Sequence, residues 1–366
     1  MIRLFGFLLF SLFAAGGFSQ QQKPPFEVIA YYSGNGDNIE QYSIGKLTQV
    51  IFSFLVLRDD TLFFPSAQRK EALRKVAGLK QKHPGLKVLI SMGGWGGCKT
   101  CSDVFAVPES RKRFAASVGR VMKEYNVDGI DIDWEYPAIS GFPGHAYRPE
   151  DKENFTDLMY QIRKVMGPEG ELSFAAGGFT HFLEKSIDWK AVMPHLNRVN
   201  LMTYDLVHGY STRTGHHTAL YSHSPEQTES TDNCVQWLLN HGVPSEKLVI
   251  GSGFYARIWE KVSKTNNGLF QEGKFKRSID YKDFSYLEPD SGWVHQWDME
   301  AMAPYAYHRT ADLFATYDNS ESLLEKVKYA RNFKLGGIMF WELGCDVPGN
   351  GLLDSLRDSV EKTEAK

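Results

Sequence analysis

Short apolar segments alternate along the chain with longer stretches in which apolar residues recur at helical spacing. Eight short runs rich in β-branched and aromatic residues predict strands, at residues 28–32, 50–57, 87–92, 129–134, 172–177, 199–204, 248–251 and 336–341. Amphipathic spacing predicts helices at residues 66–82, 109–125, 149–166, 228–241, 320–333 and 353–362. Strands that alternate with helices are usually parallel. The pattern therefore predicts an α/β fold, a (β/α)₈ TIM barrel with its site at the carboxyl ends of the strands.

A doubly wound open sheet is the alternative fold for the same alternation of elements. That fold usually carries a Gly-rich phosphate loop directly after its first strand. Residues 31–36 read Tyr-Tyr-Ser-Gly-Asn-Gly, which is not a GxGxxG motif. The closed barrel is therefore the more economical interpretation.

The alternation breaks between the seventh strand and its helix. A gap of about 55 residues is too long for a loop. We therefore expect a barrel made of residues 26–257 and 312–360, with residues 258–311 forming a small α+β insertion between strand 7 and helix 7. Short strands are predicted in the insertion at residues 258–264, 284–287 and 294–299.

The first 19 residues have the pattern of a targeting segment. Arg3 is the only charge, residues 4–13 are apolar, and small residues follow at 14–17. This pattern predicts a signal peptide at residues 1–19, with an uncleaved membrane anchor as the alternative. We expect a secreted protein, extracellular or periplasmic, with no membrane segment after signal removal.

Composition excludes several classes of function. The chain has 366 residues with 41 Lys and Arg against 44 Asp and Glu, and a net charge of −3 gives no field for nucleic acid. The eleven histidines show no metal-binding spacing, so we expect no metal and no cofactor.

Of four cysteines, Cys98 and Cys101 lie in one loop and either form a tight disulfide or remain free thiols. The sequence assigns no pairing to Cys234 and Cys345.

One segment carries the candidate chemistry. Residues 128–137 read Asp-Gly-Ile-Asp-Ile-Asp-Trp-Glu-Tyr-Pro. Because side chains along a strand alternate between its faces, Asp131, Asp133 and Glu135 share one face, and the intervening isoleucines and tryptophan share the other. The apolar face must pack against the helices, so the three acids point into the barrel lumen, which Val, Ile and Leu normally fill.

Three acids in a barrel interior are costly while ionised. Burial and like-charge repulsion raise the pKa of at least one of them, which leaves a carboxylic acid that is protonated near neutral pH. Glu135 is the last of the three and the nearest to the mouth, so we expect it to donate a proton. The alternatives are a solvated strand edge and a cation site, and the second lacks a supporting ligand cluster elsewhere in the sequence.

Four motifs in chain order resemble those of the family 18 glycoside hydrolases, the chitinases and their relatives. They are Ser91-Met-Gly-Gly-Trp95, Asp128-x-x-Asp131-x-Asp133-x-Glu135, Met202-Thr-Tyr204-Asp205 and Trp341 at the end of the eighth strand. The insertion is similar to the α+β insertion of one chitinase subgroup. The resemblance covers essentially residues 26–360.

The resemblance implies a substrate-assisted mechanism. Glu135 protonates the glycosidic oxygen, and the 2-acetamido carbonyl of the bound sugar attacks the anomeric carbon. Water activated by the same Glu135 then hydrolyses the oxazolinium intermediate with retention. Asp133 holds the acetamido N–H, Asp131 shares a proton with Asp133, and Tyr204 hydrogen-bonds the acetamido oxygen.

The resemblance also implies substrate-binding residues around the cleft. Tyr31 and Ser91 occupy positions that support the inner aspartate in the family. The run Gly253-Phe-Tyr-Ala-Arg257 departs from the usual Pro-Phe-Tyr-Gly-Arg, which makes the contact of Arg257 less secure. The full set is Trp341, Trp95, Tyr136, Met202, Asp205, Arg257, Tyr31 and Ser91.

The expected function is that of a secreted, monomeric chitinase that hydrolyses β-1,4-linked N-acetylglucosamine chains, with chitin or chito-oligosaccharides as its partners. One alternative is an endo-β-N-acetylglucosaminidase acting on glycoproteins, a branch that usually lacks the insertion. The other is a catalytically inactive chitin-binding lectin, which predicts a missing proton donor, whereas Glu135 is present. Endo versus exo action, chitobiose release and processivity stay open.

Overall fold

The computed structural model describes residues 26–364, which form fourteen strands and nine α-helices. The strands are β1 (Glu27–Tyr32), β2 (Gln49–Arg58), β3 (Thr61–Phe63), β4 (Lys87–Gly93), β5 (Gly129–Asp133), β6 (Glu171–Gly177), β7 (Arg198–Met202), β8 (Leu248–Gly253), β9 (Tyr255–Glu260), β10 (Lys274–Asp280), β11 (Trp293–Asp298), β12 (Ala303–His308), β13 (Leu313–Thr316) and β14 (Gly337–Trp341). Eight of them, β1, β2, β4 to β8 and β14, pair in parallel. Because β1 pairs with both β2 and β14, the ring is closed and the predicted barrel is confirmed.

The helices surround the ring of strands. They are α1 (Ala67–Gly78), α2 (Cys101–Phe105), α3 (Pro108–Tyr125), α4 (Asp151–Met166), α5 (Thr180–Lys185), α6 (Trp189–Val192), α7 (Thr231–Asn240), α8 (Ser320–Asn332) and α9 (Leu352–Glu364). The six predicted helices are present. The sequence interpretation missed α2, α5 and α6, because four to six residues are too few to display helical periodicity.

A second sheet stands beside the barrel mouth. Its five antiparallel strands have the order β10-β9-β13-β12-β11. The sheet begins at Tyr255 and ends at Thr316, somewhat outside the expected boundaries at 258 and 311. The strand predicted at 284–287 is wrong, since Tyr281–Leu287 forms a 3₁₀ helix. Phe284 and Leu287, three residues apart, pack together against the core of the second sheet, as a helical turn allows.

Side chains fill the barrel lumen in layers. A small apolar cluster lies around the middle of the strands, formed by Ile29, Tyr31, Ile51, Leu89, Val249 and Met339. One layer higher, register places Ser91, Asp131 and Ser173 side by side on β4, β5 and β6. The amino ends of the strands are polar as well, because Arg198 on β7 pairs there with Glu27 on β1 and Glu171 on β6.

No helix within residues 26–364 is long and apolar enough to span a bilayer. The signal peptide expected at residues 1–19 lies outside the described residues.

A buried ion pair fastens α8 to the barrel. Lys326 Nζ lies 2.7 Å from Asp318 Oδ2, and both side chains are fully buried. Asp318 also accepts hydrogen bonds from the backbone N–H of Gly253 at the end of β8 and from the hydroxyls of Thr218 and Ser322. The pair therefore joins the helix, a barrel strand and the loop after β7.

Replacing Lys326 with Met tests this joint. The change leaves the buried Asp318 carboxylate without its cation. The free energy of unfolding should therefore fall by about 3–5 kcal/mol in urea denaturation. The double variant Lys326→Met/Asp318→Asn removes both charges and should lose less than the sum of the single variants. A loss below about 1 kcal/mol for Lys326→Met would contradict a structural role for the pair.

Candidate active site

A cleft of about 1210 Å³ opens at the carboxyl ends of the barrel strands. Three of the four predicted catalytic residues, Asp133, Glu135 and Tyr204, line it. Six of the eight predicted binding residues line it as well, namely Trp95, Tyr136, Met202, Asp205, Arg257 and Trp341. The remaining three, Asp131, Tyr31 and Ser91, lie buried below the cleft.

Asp131 is fully buried at the centre of a hydrogen-bond network. Its Oδ2 accepts from the Tyr31 hydroxyl at 3.0 Å and from Ser91 Oγ at 3.2 Å. Its Oδ1 accepts from Ser173 Oγ at 2.6 Å and from Asn200 Nδ2 at 3.0 Å. Burial raises the pKa of Asp131, and these four donors oppose the rise.

The network includes two residues that were counted with the substrate-binding set. Tyr31 and Ser91, which the family resemblance also places as supports of the inner aspartate, are almost completely buried and donate to Asp131. We assign them to the support of that aspartate. Ser173 and Asn200 were missed, although a polar residue at an inward position of an otherwise apolar strand is a usable signal.

Asp133 lies between the inner aspartate and the cleft. Its side chain is buried, and its Oδ1 has no hydrogen-bond partner among the described residues. Burial raises the pKa of Asp133 well above its ordinary value, and the charges of Glu135 and Asp131 raise it further. A ligand N–H group that reached this oxygen would satisfy an acceptor that the protein leaves open.

Glu135 follows the last residue of β5 by two positions and faces the cleft. Burial raises its pKa to about 7, a hydrogen bond with Tyr136 opposes the rise, and the negative charge of Asp205 adds to it. A carboxylic acid with this pKa can both donate and accept a proton near neutral pH.

Tyr204 keeps its proton throughout the neutral range. Burial raises the pKa of its hydroxyl well above the ordinary value, and the charges of Asp133 and Glu135 act in the same direction. The Tyr204 hydroxyl is therefore available in the cleft as a hydrogen-bond donor.

Asp205, in contrast, is held in its ionised form. Arg257 forms an ion pair with both of its carboxylate oxygens, and the Tyr255 hydroxyl donates to Oδ1 at 2.6 Å. Burial alone would raise the pKa of Asp205, but the interactions with His217 and Arg257 prevail and lower it. A permanently ionised carboxylate therefore stands beside Glu135. Sequence reasoning missed Tyr255 and His217.

Aromatic side chains form two groups in the cleft wall. Trp341 stacks on Phe54 with ring centroids 5.5 Å apart and also contacts Tyr31. Trp95, with 47% of its surface exposed, approaches Tyr136 and Tyr210 at 6.5 and 6.4 Å. Half-exposed rings of this kind offer flat apolar faces to a ligand. Phe54 and Tyr210 were not anticipated.

Two of the four cysteines are paired and two are free. Cys98 and Cys101 form a disulfide, which decides between the two expected states of that pair. Cys234 and Cys345 are free and buried. Among residues 26–364, no group of three or more His, Cys, Asp or Glu side chains is placed to hold a metal ion.

Comparison with known proteins agrees with the barrel fold. The sequence matches the glycosyl hydrolases family 18 over residues 27–346. It is 34% identical to chitinase A1 of Niallia circulans over 313 residues, covering 78% of this chain and 44% of that protein. Chitinase B of Serratia marcescens is 28% identical over 394 aligned positions, covering 87% of this chain and 77% of that protein.

A solved structure resembles the whole fold. The family 18 N-acetylglucosaminidase of Paenibacillus barengoltzii superposes with a TM-score of 0.83 and 33% identity, covering 92% of this chain and 100% of that one. The barrel, the acidic strand and these matches define a glycoside hydrolase. The chain belongs to glycosyl hydrolase family 18. It spans less than half the length of chitinase A1.

The raised pKa of Glu135 has a measurable effect on stability. The folded pKa of about 7 exceeds the ordinary value of 4.5, so the folded protein binds the proton more tightly than the unfolded chain. The contribution of this group to stability is present below about pH 4.5 and is lost as the pH rises through about 7.

The variant Glu135→Gln removes this titration. Its free energy of unfolding should equal that of the wild type near pH 4 and exceed it by up to about 2–3 kcal/mol near pH 8, measured by urea denaturation at a series of pH values. Equal stabilities at both pH values would show that Glu135 titrates normally.

Proposed function

We propose that the protein hydrolyses β-1,4-linked N-acetylglucosamine chains with retention, using the 2-acetamido group of the substrate as the nucleophile. The observation that carries the proposal is the row Asp131, Asp133 and Glu135, which leads from the barrel interior to the cleft and ends in an acid whose pKa is about 7. The family match and the similarity of this chain to chitinases support the proposal.

Glu135 takes the role of the proton donor in this proposal. Its carboxyl group protonates the glycosidic oxygen while the bond to the anomeric carbon breaks. The resulting carboxylate then removes a proton from the attacking water in the second step, so each turnover restores the acid. Ionised Asp205 favours the protonated form of Glu135 before the first step.

Asp133 and Tyr204 are suited to the acetamido group. The open Oδ1 of Asp133 would accept the acetamido N–H, and the Tyr204 hydroxyl would donate to the carbonyl oxygen. The two contacts together would hold the carbonyl against the anomeric carbon. Positive charge that develops on the acetamido nitrogen would lower the raised pKa of Asp133 and favour its ionised form, which would then offset that charge. Asp131 would remain the inner partner, held by its four donors.

The aromatic walls support a chain of sugar rings as the substrate. Trp341 with Phe54, and Trp95 with Tyr210, present apolar faces to the cleft that Asp133 and Glu135 also line. Pyranose rings have apolar faces that pack well on such surfaces. Chito-oligosaccharides and chitin are therefore the proposed partners.

Release of single N-acetylglucosamine units is the second candidate function. The N-acetylglucosaminidase of Paenibacillus barengoltzii supports it, because that chain is matched over its full length at 33% identity. The two candidates share the chemistry at Glu135 and differ in how many sugar rings bind on each side of the cleaved bond. Product lengths separate them.

We also propose that the protein acts outside the cytoplasm. The Cys98–Cys101 disulfide supports this location, because disulfides persist in oxidising compartments.

Hydrolysis of chitohexaose tests the proposed function. Replacing Glu135 with Gln removes the transferable proton, so kcat should fall by about 10²–10⁴-fold, measured from the products by chromatography. Glu246→Gln makes the same chemical change at an exposed position beside the amino end of β8 and should leave kcat unchanged. Full activity in Glu135→Gln would overturn the assignment.

The same reaction reports the stereochemistry and the product length. Proton NMR of early products should show the β-anomer first, as retention requires. Early appearance of the α-anomer would contradict substrate-assisted catalysis. Disaccharides and longer products would favour the chitinase candidate, and only monosaccharide would favour the second candidate.

A further inference from the structure

A disulfide-closed turn lies directly beside one wall of the cleft. Cys98 and Cys101 are three positions apart, both are buried, and the backbone N–H of Cys101 donates to the carbonyl of Cys98. Cys101 is the first residue of α2. Phe105 at the end of α2 packs on Trp134, the residue before Glu135. The turn is therefore fastened to the core that underlies the acidic strand.

The segment before the turn is unusually rich in glycine. Residues 93–97 read Gly-Gly-Trp-Gly-Gly, so Trp95 is flanked by four glycines. Gly94 and Gly96 adopt left-handed backbone conformations, with φ of 81° and 82°. Glycine loses more conformational freedom on ordering than any other residue, so this segment needs contacts outside itself to hold Trp95 in place.

The turn also holds a second loop of the cleft. The backbone N–H of Ala146 donates to the carbonyl of Lys99, inside the disulfide ring, at 3.2 Å. Lys99 Nζ lies 4.8 Å from the ring centre of Phe142, and Phe142 meets Trp95 edge to face at 5.7 Å. The disulfide ring thus connects the segment that carries Trp95 with the loop at residues 138–150, which follows Glu135.

We infer that the Cys98–Cys101 disulfide determines how tightly the cleft binds sugar on the Trp95 side, by holding Trp95 and Phe142 in a preformed wall. The inference rests on the proposed function. A preformed wall spares the bound complex the cost of ordering the glycine-rich segment. The two cysteines are positioning residues, since they do not line the cleft and act through Trp95.

Steady-state kinetics on chitohexaose test the inference with three variants. In Cys98→Ala/Cys101→Ala, KM should rise about three- to tenfold while kcat stays within about twofold, because ground-state and transition-state binding weaken together. In Trp95→Ala, KM should rise at least as much. The triple variant should be no worse than Trp95→Ala, because the disulfide acts through that ring. Cys234→Ala, a buried free cysteine on α7, is the matched control and should keep the wild-type KM.

Three results would overturn the inference: an unchanged KM in the double variant, a fall in kcat with KM unchanged, or additive effects of the disulfide and Trp95 changes. If the double variant does not fold, wild-type enzyme reduced with dithiothreitol, with its thiols counted by mass after alkylation, supplies the same comparison. Wild-type turnover is measured first. An inactive wild type contradicts the proposed function, whereas an active one that is indifferent to the disulfide contradicts only this inference.

Discussion

The burial of Asp131 and Asp133 on one barrel strand, with Glu135 two positions beyond the end of that strand, is the constraint on which the site depends. Water cannot solvate Asp131 and Asp133, so each must be hydrogen-bonded, protonated or supplied with a partner by a ligand. The protein meets the first condition at Asp131 with four donors. It leaves Asp133 with an unpaired carboxyl oxygen and a raised pKa. Asp133 and Glu135 are therefore the two acids whose hydrogen bonds and protonation a bound ligand can change.

The barrel orients the row of acids toward the cleft. A strand period of two aligns the acids, and the apolar layer below Asp131 leaves the cleft as the open side of the row. His217 and Arg257 keep Asp205 ionised at the mouth of the cleft. Glu135 therefore lies between Asp133, a buried acid that resists ionisation, and Asp205, a carboxylate that stays charged. These opposite environments separate the pKa values of neighbouring carboxyl groups, which is how one site can hold both a proton donor and a fixed charge.

The sequence was sufficient to predict a feature wherever a single strand or helix determined that feature. Short runs rich in β-branched and aromatic residues predicted all eight barrel strands, and alternation along 128–137 placed Glu135 on the lumen side although β5 ends at Asp133. It was insufficient where partners come from distant strands. Ser173 and Asn200 reach Asp131 across 42 and 69 residues, and only the closed ring makes them neighbours. The strand prediction at residues 284–287 failed for a local reason, because the apolar residues there suit a strand as well as a 3₁₀ turn.

The central claim is that the fold keeps Glu135 protonated near neutral pH, and titration of its carboxyl carbon by ¹³C NMR tests this directly. The Glu135 signal is assigned by its absence in Glu135→Gln. The expected midpoint is about 7, well above the ordinary value of 4.5. A midpoint near 4.5 would contradict it, because the cleft would then hold an ionised glutamate with no proton to donate at neutral pH.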